Sequence, residues 1–170
     1  ISKADFLGFS NGGQTTIEIA LRHPSVVNKI ILASAFYKRS AVVPQFWDGF
    51  DNTSLEVMPM VLQEGFLKAN NNKEALLNMF NKDVQRMKNF KGWTAEDIRS
   101  IQAPALIVSG DNDVATPEHT VEMYHNLPHS RLAILPGAHG QYLGEAMFPD
   151  PNNKLPELFV AMVNEFLAAP

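Results

Sequence analysis

The chain has no cysteine among its 170 residues, which removes disulfides, thiolate metal sites and a cysteine nucleophile from consideration. It also lacks an excess of positive charge. Fourteen Lys and Arg against 18 Asp and Glu leave a net charge of -4, so there is no electrostatic footprint for nucleic acid or an anionic membrane surface. No apolar run approaches the roughly 20 residues needed to cross a bilayer. Neither nucleic acid nor membrane is therefore expected as a partner. Internal repeats and low-complexity tracts are missing too. What remains is globular material, 45% hydrophobic and 19% charged, with enough apolar content for one sizeable core. The chain opens at Ile1 and reaches an apolar strand almost at once, so it is expected to be part of a longer polypeptide; compartment and oligomeric state stay open.

Apolar spacing gives an α/β order interrupted once. Ala4 to Phe9 is a short buried-strand candidate. Gln14 to His23 carries Ile17, Ala20 and Leu21 at helical spacing and stops at Pro24, and Asn28 to Ser34 is a second strand reached directly, hence parallel to the first. From Tyr37 to about Arg99 no strong strand occurs; Leu55 to Ala69 and Glu74 to Phe90 have helical spacing, separated by the polar Asn70 to Lys73. Strands then return at Ala103 to Gly110 and Arg131 to Leu135, with helices at Pro117 to Leu127 and Leu155 to Leu167. The expected organisation is an α/β core from segments 1–37 and 99–170, with a helical insertion over 38–98.

Within this frame the stretch "LGFSNGG" (7–13) places Ser10 between a strand and a helix, with Gly8 and Gly12 two residues to either side. A sharp strand-to-helix turn lifts a hydroxyl out of the sheet, and small neighbours let the two backbones pass closely. The same turn aims the first N–H groups of the helix at whatever reacts there, so the Asn11 N–H is a candidate oxyanion donor. That strand-before, helix-after setting favours a nucleophile turn over the alternative, an ordinary glycine-rich turn with a capping serine.

A serine hydroxyl needs a base and a group to orient that base. Of five histidines, His23, His119, His125 and His129 read as surface or capping residues. His139 follows a strand in "PGAHGQY", where Gly137 and Gly140 free the backbone to bring an imidazole over the carboxyl end of a sheet. Two carboxylates, Asp111 and Asp113, follow another strand in "LIVSGDNDVATP"; Asp111, next to Gly110, suits a local turn that uses its own side chain.

The order Ser10, acid, His139, each after a strand, resembles the α/β-hydrolase family. "GFSNGG" looks like its nucleophile elbow, "GDNDVATP" like its acid loop, "PGAHG" like its histidine loop, and 38–98 like its helical cap. The resemblance covers almost the whole chain and implies the carboxyl-terminal half of such a sheet, with the amino-terminal strands absent from this stretch and supplied by the same polypeptide. It favours Asp113 over Asp111 as the acid. It also implies a second oxyanion donor from that amino-terminal half, which cannot be named here, and a bare edge on the elbow strand. Dehalogenases and epoxide hydrolases of this layout carry aspartate where Ser10 stands and are disfavoured.

The expected function is a serine hydrolase cleaving a small carboxylic ester, thioester or amide through an acyl-enzyme, with catalytic Ser10, Asp113 and His139 and no metal or organic cofactor. Carbon–carbon bond or lactone hydrolysis with the same triad, or a non-catalytic ligand-binding protein on this fold, are the alternatives. Phe46, Trp47, Phe50 and Met58, with Met60 and Phe66, are apolar residues of the insertion that would line a substrate pocket or pack as the insertion's own core. Lys82, Arg86, Lys88 and Lys91 read as a solvated basic face.

Overall fold

The computed structural model describes residues 2–170. Four parallel strands, β1 (Ala4–Phe9), β2 (Val27–Ala33), β3 (Ala105–Asn112) and β4 (Ser130–Ala138), form one sheet in the order β1-β2-β3-β4. The connections carry α1 (Asn11–Arg22), α2 (Pro44–Asp48), α3 (Met60–Ala69), α4 (Lys73–Asn89), α5 (Ala95–Ser100) and α6 (Pro117–Asn126); α7 (Leu155–Ala168) closes the chain. Among the described residues β1 pairs with β2 alone. No helix among them is long and apolar enough to cross a membrane.

The chain divides into two compact units. One holds the residues up to Ala41 and from Gly92 to Pro170, and the other is Val42–Lys91. Lys38 to Ala41 and Gly92 to Ile98 thus fall outside the second unit, inside the sequence-predicted span of 38–98. α5 is an element the spacing did not predict. It is set by a capping box in which Thr94 and Asp97 each accept the other's backbone N–H. The predicted helix over Leu55 to Ala69 is shorter than expected: a single turn at Leu55–Val57 precedes α3, because Pro59 between them has no N–H to donate.

The central strands β2 and β3 are buried on both faces, as their near-continuous apolar runs require, whereas β1 and β4 keep exposed positions such as Leu7 and Ile134. On one face Ile30 and Leu32 of β2 join Ile17, Ile98, Ile107 and Met123; on the other Ile31 and Ala33 join Leu106, Val108, Tyr142 and Phe159. Burying side chains of this size contributes roughly 1.5–3 kcal/mol each. Lys29 is buried among them at 8% exposure. Its ammonium donates to the carbonyls of Phe166, Leu167 and Ala169, at 3.1, 3.0 and 2.5 Å, so a β2 cation satisfies the free carbonyl end of α7 and its negative dipole end.

In Val42–Lys91 the aromatic side chains pack on one another. Trp47 stacks on Phe90 at 5.9 Å and meets Phe46 edge-on at 5.1 Å, and Phe46 meets Phe50 at 5.3 Å. Leu76 of α4 is 2% exposed, and Asn72 caps that helix by accepting the Ala75 N–H at 3.0 Å.

Candidate active site

The parallel register puts the carboxyl ends of the four strands on one side of the sheet, with β3 running on past the end of β2. Phe9 faces Ala33, Ala33 faces Val108, and Asn112 faces Ala138. Ser10, Ser34, Asp113 and His139 therefore follow one another along the carboxyl edge of the sheet, where ligands of open α/β folds bind.

Ser10 sits at the β1–α1 turn with φ +52° and ψ -118°, a region that costs a residue with a Cβ about 1–3 kcal/mol. The turn is held by the Ser10 N–H donating to the Ala33 carbonyl at 2.9 Å, while the Gly13 N–H donates to the Ser10 carbonyl at 3.0 Å. A Cβ on Gly8 would come within 2.2 Å of the Gly12 carbonyl oxygen, so strand and helix do pass as closely as the sequence suggests. The expectation for Gly12 needs correction. A Cβ there would meet nothing within 4 Å, whereas one on Gly13 would lie 2.5 Å from the Ala35 Cβ. The crowded pair is Gly8 and Gly13. Asn11 begins α1, which puts its N–H in the first turn beside Ser10, at the positive end of the helix dipole.

Asp113 and His139 meet. His139 Nδ1 lies 2.6 Å from Asp113 Oδ1, and the two side chains are 25% and 0% exposed. A carboxylate can only accept, so Nδ1 carries a proton, and in the neutral imidazole Nε2 is then the nitrogen with the free lone pair. The carboxylate also accepts the Val114 N–H at 2.7 Å on Oδ1, and on Oδ2 the Ser34 and Ser109 hydroxyls at 2.5 and 3.1 Å and the Gly110 N–H at 3.1 Å. Burial pushes the Asp113 pKa up, but the hydrogen bonds from His139 and Ser34, the imidazole charge and the Gly110 N–H outweigh it, holding the carboxyl at about 2. The group is ionised at any physiological pH.

Asp111 does something else. Its Oδ1 accepts the Gly137 N–H at 2.8 Å, so it ties the ends of β3 and β4 together rather than closing the local turn expected of it. Two left-handed glycines flank the histidine, Gly137 with φ +124° and Gly140 with φ +72°. A Cβ on Gly140 would lie 2.6 Å from the Phe9 ring, and Phe9 packs against the His139 imidazole at 4.8 Å between centroids. The residue before Ser10 thus supports the ring. Ser10 Oγ itself makes no hydrogen bond to His139 among the described residues.

Another expected surface residue is buried. His119 is 3% exposed, tilted against Tyr37 at 4.8 Å, and its Nε2 accepts the Tyr37 N–H at 3.3 Å. Its Nδ1, without a hydrogen-bond partner, lies 3.9 Å from Glu122 Oε2. Burial is the main cause that lowers its pKa from 6.5 to about 4. Its place on the inner face of α6 follows from which face of that helix meets the sheet, which a ten-residue helix with His, Tyr and Met in it does not advertise. Ser34, Ser109 and Tyr142 were likewise not singled out from sequence; the only signals are that Ser34 ends a strand parallel to the one before Ser10, and that Tyr142 stands three residues after His139. The pocket candidates Phe46, Trp47, Phe50 and Met58 all lie in Val42–Lys91, with Trp47 buried and the others partly so. Among the described residues no cluster of three or more His, Asp or Glu is placed to hold a metal ion.

A parallel sheet wrapped by helices, with a strained serine turn after one strand and a carboxylate–imidazole pair after two others, is the α/β-hydrolase fold. Solved structures of that fold overlay it. The meta-cleavage product hydrolase CumD of Pseudomonas fluorescens IP01 matches 98% of this chain with a TM-score of 0.70 and 20% identity; the α/β hydrolase MGS-M2, from a deep-sea metagenome library, matches all of it with a TM-score of 0.66, also at 20%. In sequence the chain is similar to human serine hydrolase BPHL, 27% identical over 93% of this chain. No family model matches. The chain spans 55% of the length of the human protein and 65% and 66% of the two solved chains.

Proposed function

We propose that the protein is a serine hydrolase that cleaves a small carboxylic ester, thioester or amide through an acyl-enzyme on Ser10. The observation that carries this reading is the 2.6 Å contact between His139 Nδ1 and an ionised, fully buried Asp113, on the same row of strand ends as the strained Ser10 turn. In this reading Nε2 of His139 takes the Ser10 proton as Oγ attacks the acyl carbon. The Asn11 N–H meets the oxyanion, and the leaving group departs with the proton from His139. Water, deprotonated by the same nitrogen, then attacks the acyl carbon, freeing the acid and returning the proton to Ser10. Asp113 stays ionised throughout, fixing the tautomer and steadying the imidazolium. These steps balance without a metal or organic cofactor.

The similarity to a protein named a serine hydrolase supports the choice of nucleophile. Selection among substrates is assigned to the helical insertion, with Trp47, Phe46, Phe50 and Met58 as the side chains whose replacement changes which acyl groups are accepted. The test is turnover of 4-nitrophenyl acetate, butyrate and octanoate by the protein and by its Ser10→Ala variant. Hydrolysis that the variant loses is the expected result. Equal rates in both would overturn the proposal.

A further inference from the structure

Behind the Asp113 carboxylate, side chains from three distant parts of the chain form a line of hydroxyls. Ser34 Oγ lies 2.5 Å from Asp113 Oδ2, and Tyr142 Oη lies 2.9 Å from Ser34 Oγ. Ser109 Oγ reaches the same Oδ2 at 3.1 Å. Proton counting sets the direction. An ionised carboxylate accepts only, so Ser34 gives its single proton to Oδ2 and offers Tyr142 nothing but lone pairs. Tyr142 is therefore the donor to Ser34. Its proton is shared with the Val108 carbonyl at 3.0 Å, which already accepts the Ser34 N–H at 2.8 Å. Accepting a hydrogen bond makes the Ser34 hydroxyl a stronger donor in turn.

The line is sealed from solvent, with Ser34 1%, Ser109 2% and Tyr142 0% exposed. Burial pushes the Tyr142 hydroxyl pKa well above its ordinary value, which keeps it protonated and able to donate. The backbone adds an independent observation. Among the described residues only two non-glycine residues have positive φ, Ser10 at +52° and Ser34 at +50°. A side chain with a Cβ adopts that conformation rarely, and such positions cluster where function over-determines the backbone. At the end of β2 the left-handed turn goes with a hydroxyl directed across the sheet to the acid that follows β3.

We propose that Ser34, backed by Tyr142, is a positioning residue that locks the Asp113 carboxylate so that Oδ1 is presented to His139 Nδ1. This role deepens the hydrolase reading and rests on it for its effect on rate; its effect on the carboxylate stands apart from catalysis. Without the Ser34 hydroxyl, Oδ2 keeps only Ser109 and the Gly110 N–H, and the carboxylate loses its shortest donor.

The experiment follows the Asp113 side-chain carboxyl by carbon NMR through its acid titration in the wild type, Ser34→Ala and Tyr142→Phe, and measures the rate and pH profile of covalent modification of Ser10 by a fluorophosphonate in the same proteins. A hydrogen bond to a charged group is worth about a factor of ten or more. The Asp113 midpoint should therefore rise by about one pH unit in Ser34→Ala and by less in Tyr142→Phe. Modification of Ser10 should slow about tenfold in Ser34→Ala, with its acid limb displaced. An Asp113 midpoint in Ser34→Ala equal to the wild type overturns the lock. Should Ser34→Ala fail to fold, Tyr142→Phe decides, since it removes one oxygen and keeps the ring; a shifted midpoint supports the relay, and an unmoved one overturns it. A shifted midpoint together with unmodified wild-type Ser10 would keep the lock and sink the hydrolase reading. Modified Ser10 with no shift in either variant would do the reverse.

Discussion

The strand ends of the first unit and the Val42–Lys91 unit are each held together in a different way. At the strand ends, polar atoms far apart in sequence satisfy one another: Ser34, Ser109, Gly110, Val114 and His139 all donate to one buried carboxylate. In Val42–Lys91 an aromatic cluster of Phe46, Trp47, Phe50 and Phe90 is joined by hydrogen bonds to backbone carbonyls, from Gln63 to Leu55 and Met58 and from Lys88 to Asp51, while Val57 and Met60 stay 66% exposed. The difference teaches where substitutions should be felt. A fully satisfied buried network is sensitive to the loss of any member and fixes one geometry, so changes at the strand ends should act on chemistry. A local aromatic cluster tolerates shifts of geometry, so changes in the helical unit should act on packing.

The largest expected effect breaks this contrast at its sharpest point. Asp113→Asn should lower the rate of Ser10 acylation by about 10⁴-fold, the loss seen when the orienting acid of a serine triad becomes an amide, whereas Asp111→Asn should cost far less. A greater loss at Asp111 would reverse the assignment. Next, Trp47→Ala should destabilise the protein by about 4 kcal/mol in chemical denaturation, as truncation of buried Trp does. The His139 Nδ1–H resonance should keep its position; its disappearance would mean that the two regions are not separable in this way.

A third prediction concerns pH. His119 has its folded pKa lowered from 6.5 to about 4, so the unfolded chain binds a proton between these values that the folded chain refuses. Stability is then complete above about pH 6.5 and falls as the pH drops toward 4, by about 3 kcal/mol in all. Asp113, lowered from 3.8 to about 2, adds a second loss only below about pH 4. His119→Gln, whose amide oxygen can still accept the Tyr37 N–H, should flatten the first slope; an unchanged slope would place the proton elsewhere. The smallest effect tests a polar group of the first unit away from the strand ends. Lys29→Met leaves the carbonyls at the end of α7 without their donor and should cost about 2 kcal/mol, with no change in the acylation rate of the folded protein.

Much of the first unit was legible because its elements are strongly patterned. β1 matches the expected strand residue for residue, and β2, β3, β4, α1, α6 and α7 lie within a few residues of expectation. The turns that carry Ser10 and His139 were legible because glycines mark both. The choice between Asp111 and Asp113 was not fixed by spacing, since both follow the same strand; the resemblance favoured Asp113, and the contact with His139 is what places it at the pair. Ser34, Ser109, Tyr142, Lys29 and His119 were hidden for one physical reason. Their roles depend on partners brought close by parallel register and helix docking, such as Ser34 with Tyr142 across 108 residues and Lys29 with α7 across 137. Periodicity records which face an element buries, and says nothing of which polar atom waits there.

The proposed activation of Ser10 by His139 on Asp113 is tested most directly by peptide mapping of the folded protein after fluorophosphonate treatment at neutral pH. Only an activated serine reacts under those conditions. A single adduct is expected on the peptide carrying Ser10, formed in the wild type and lost in His139→Ala. Folded protein with Ser10 unmodified, or modification undiminished in His139→Ala, would contradict it.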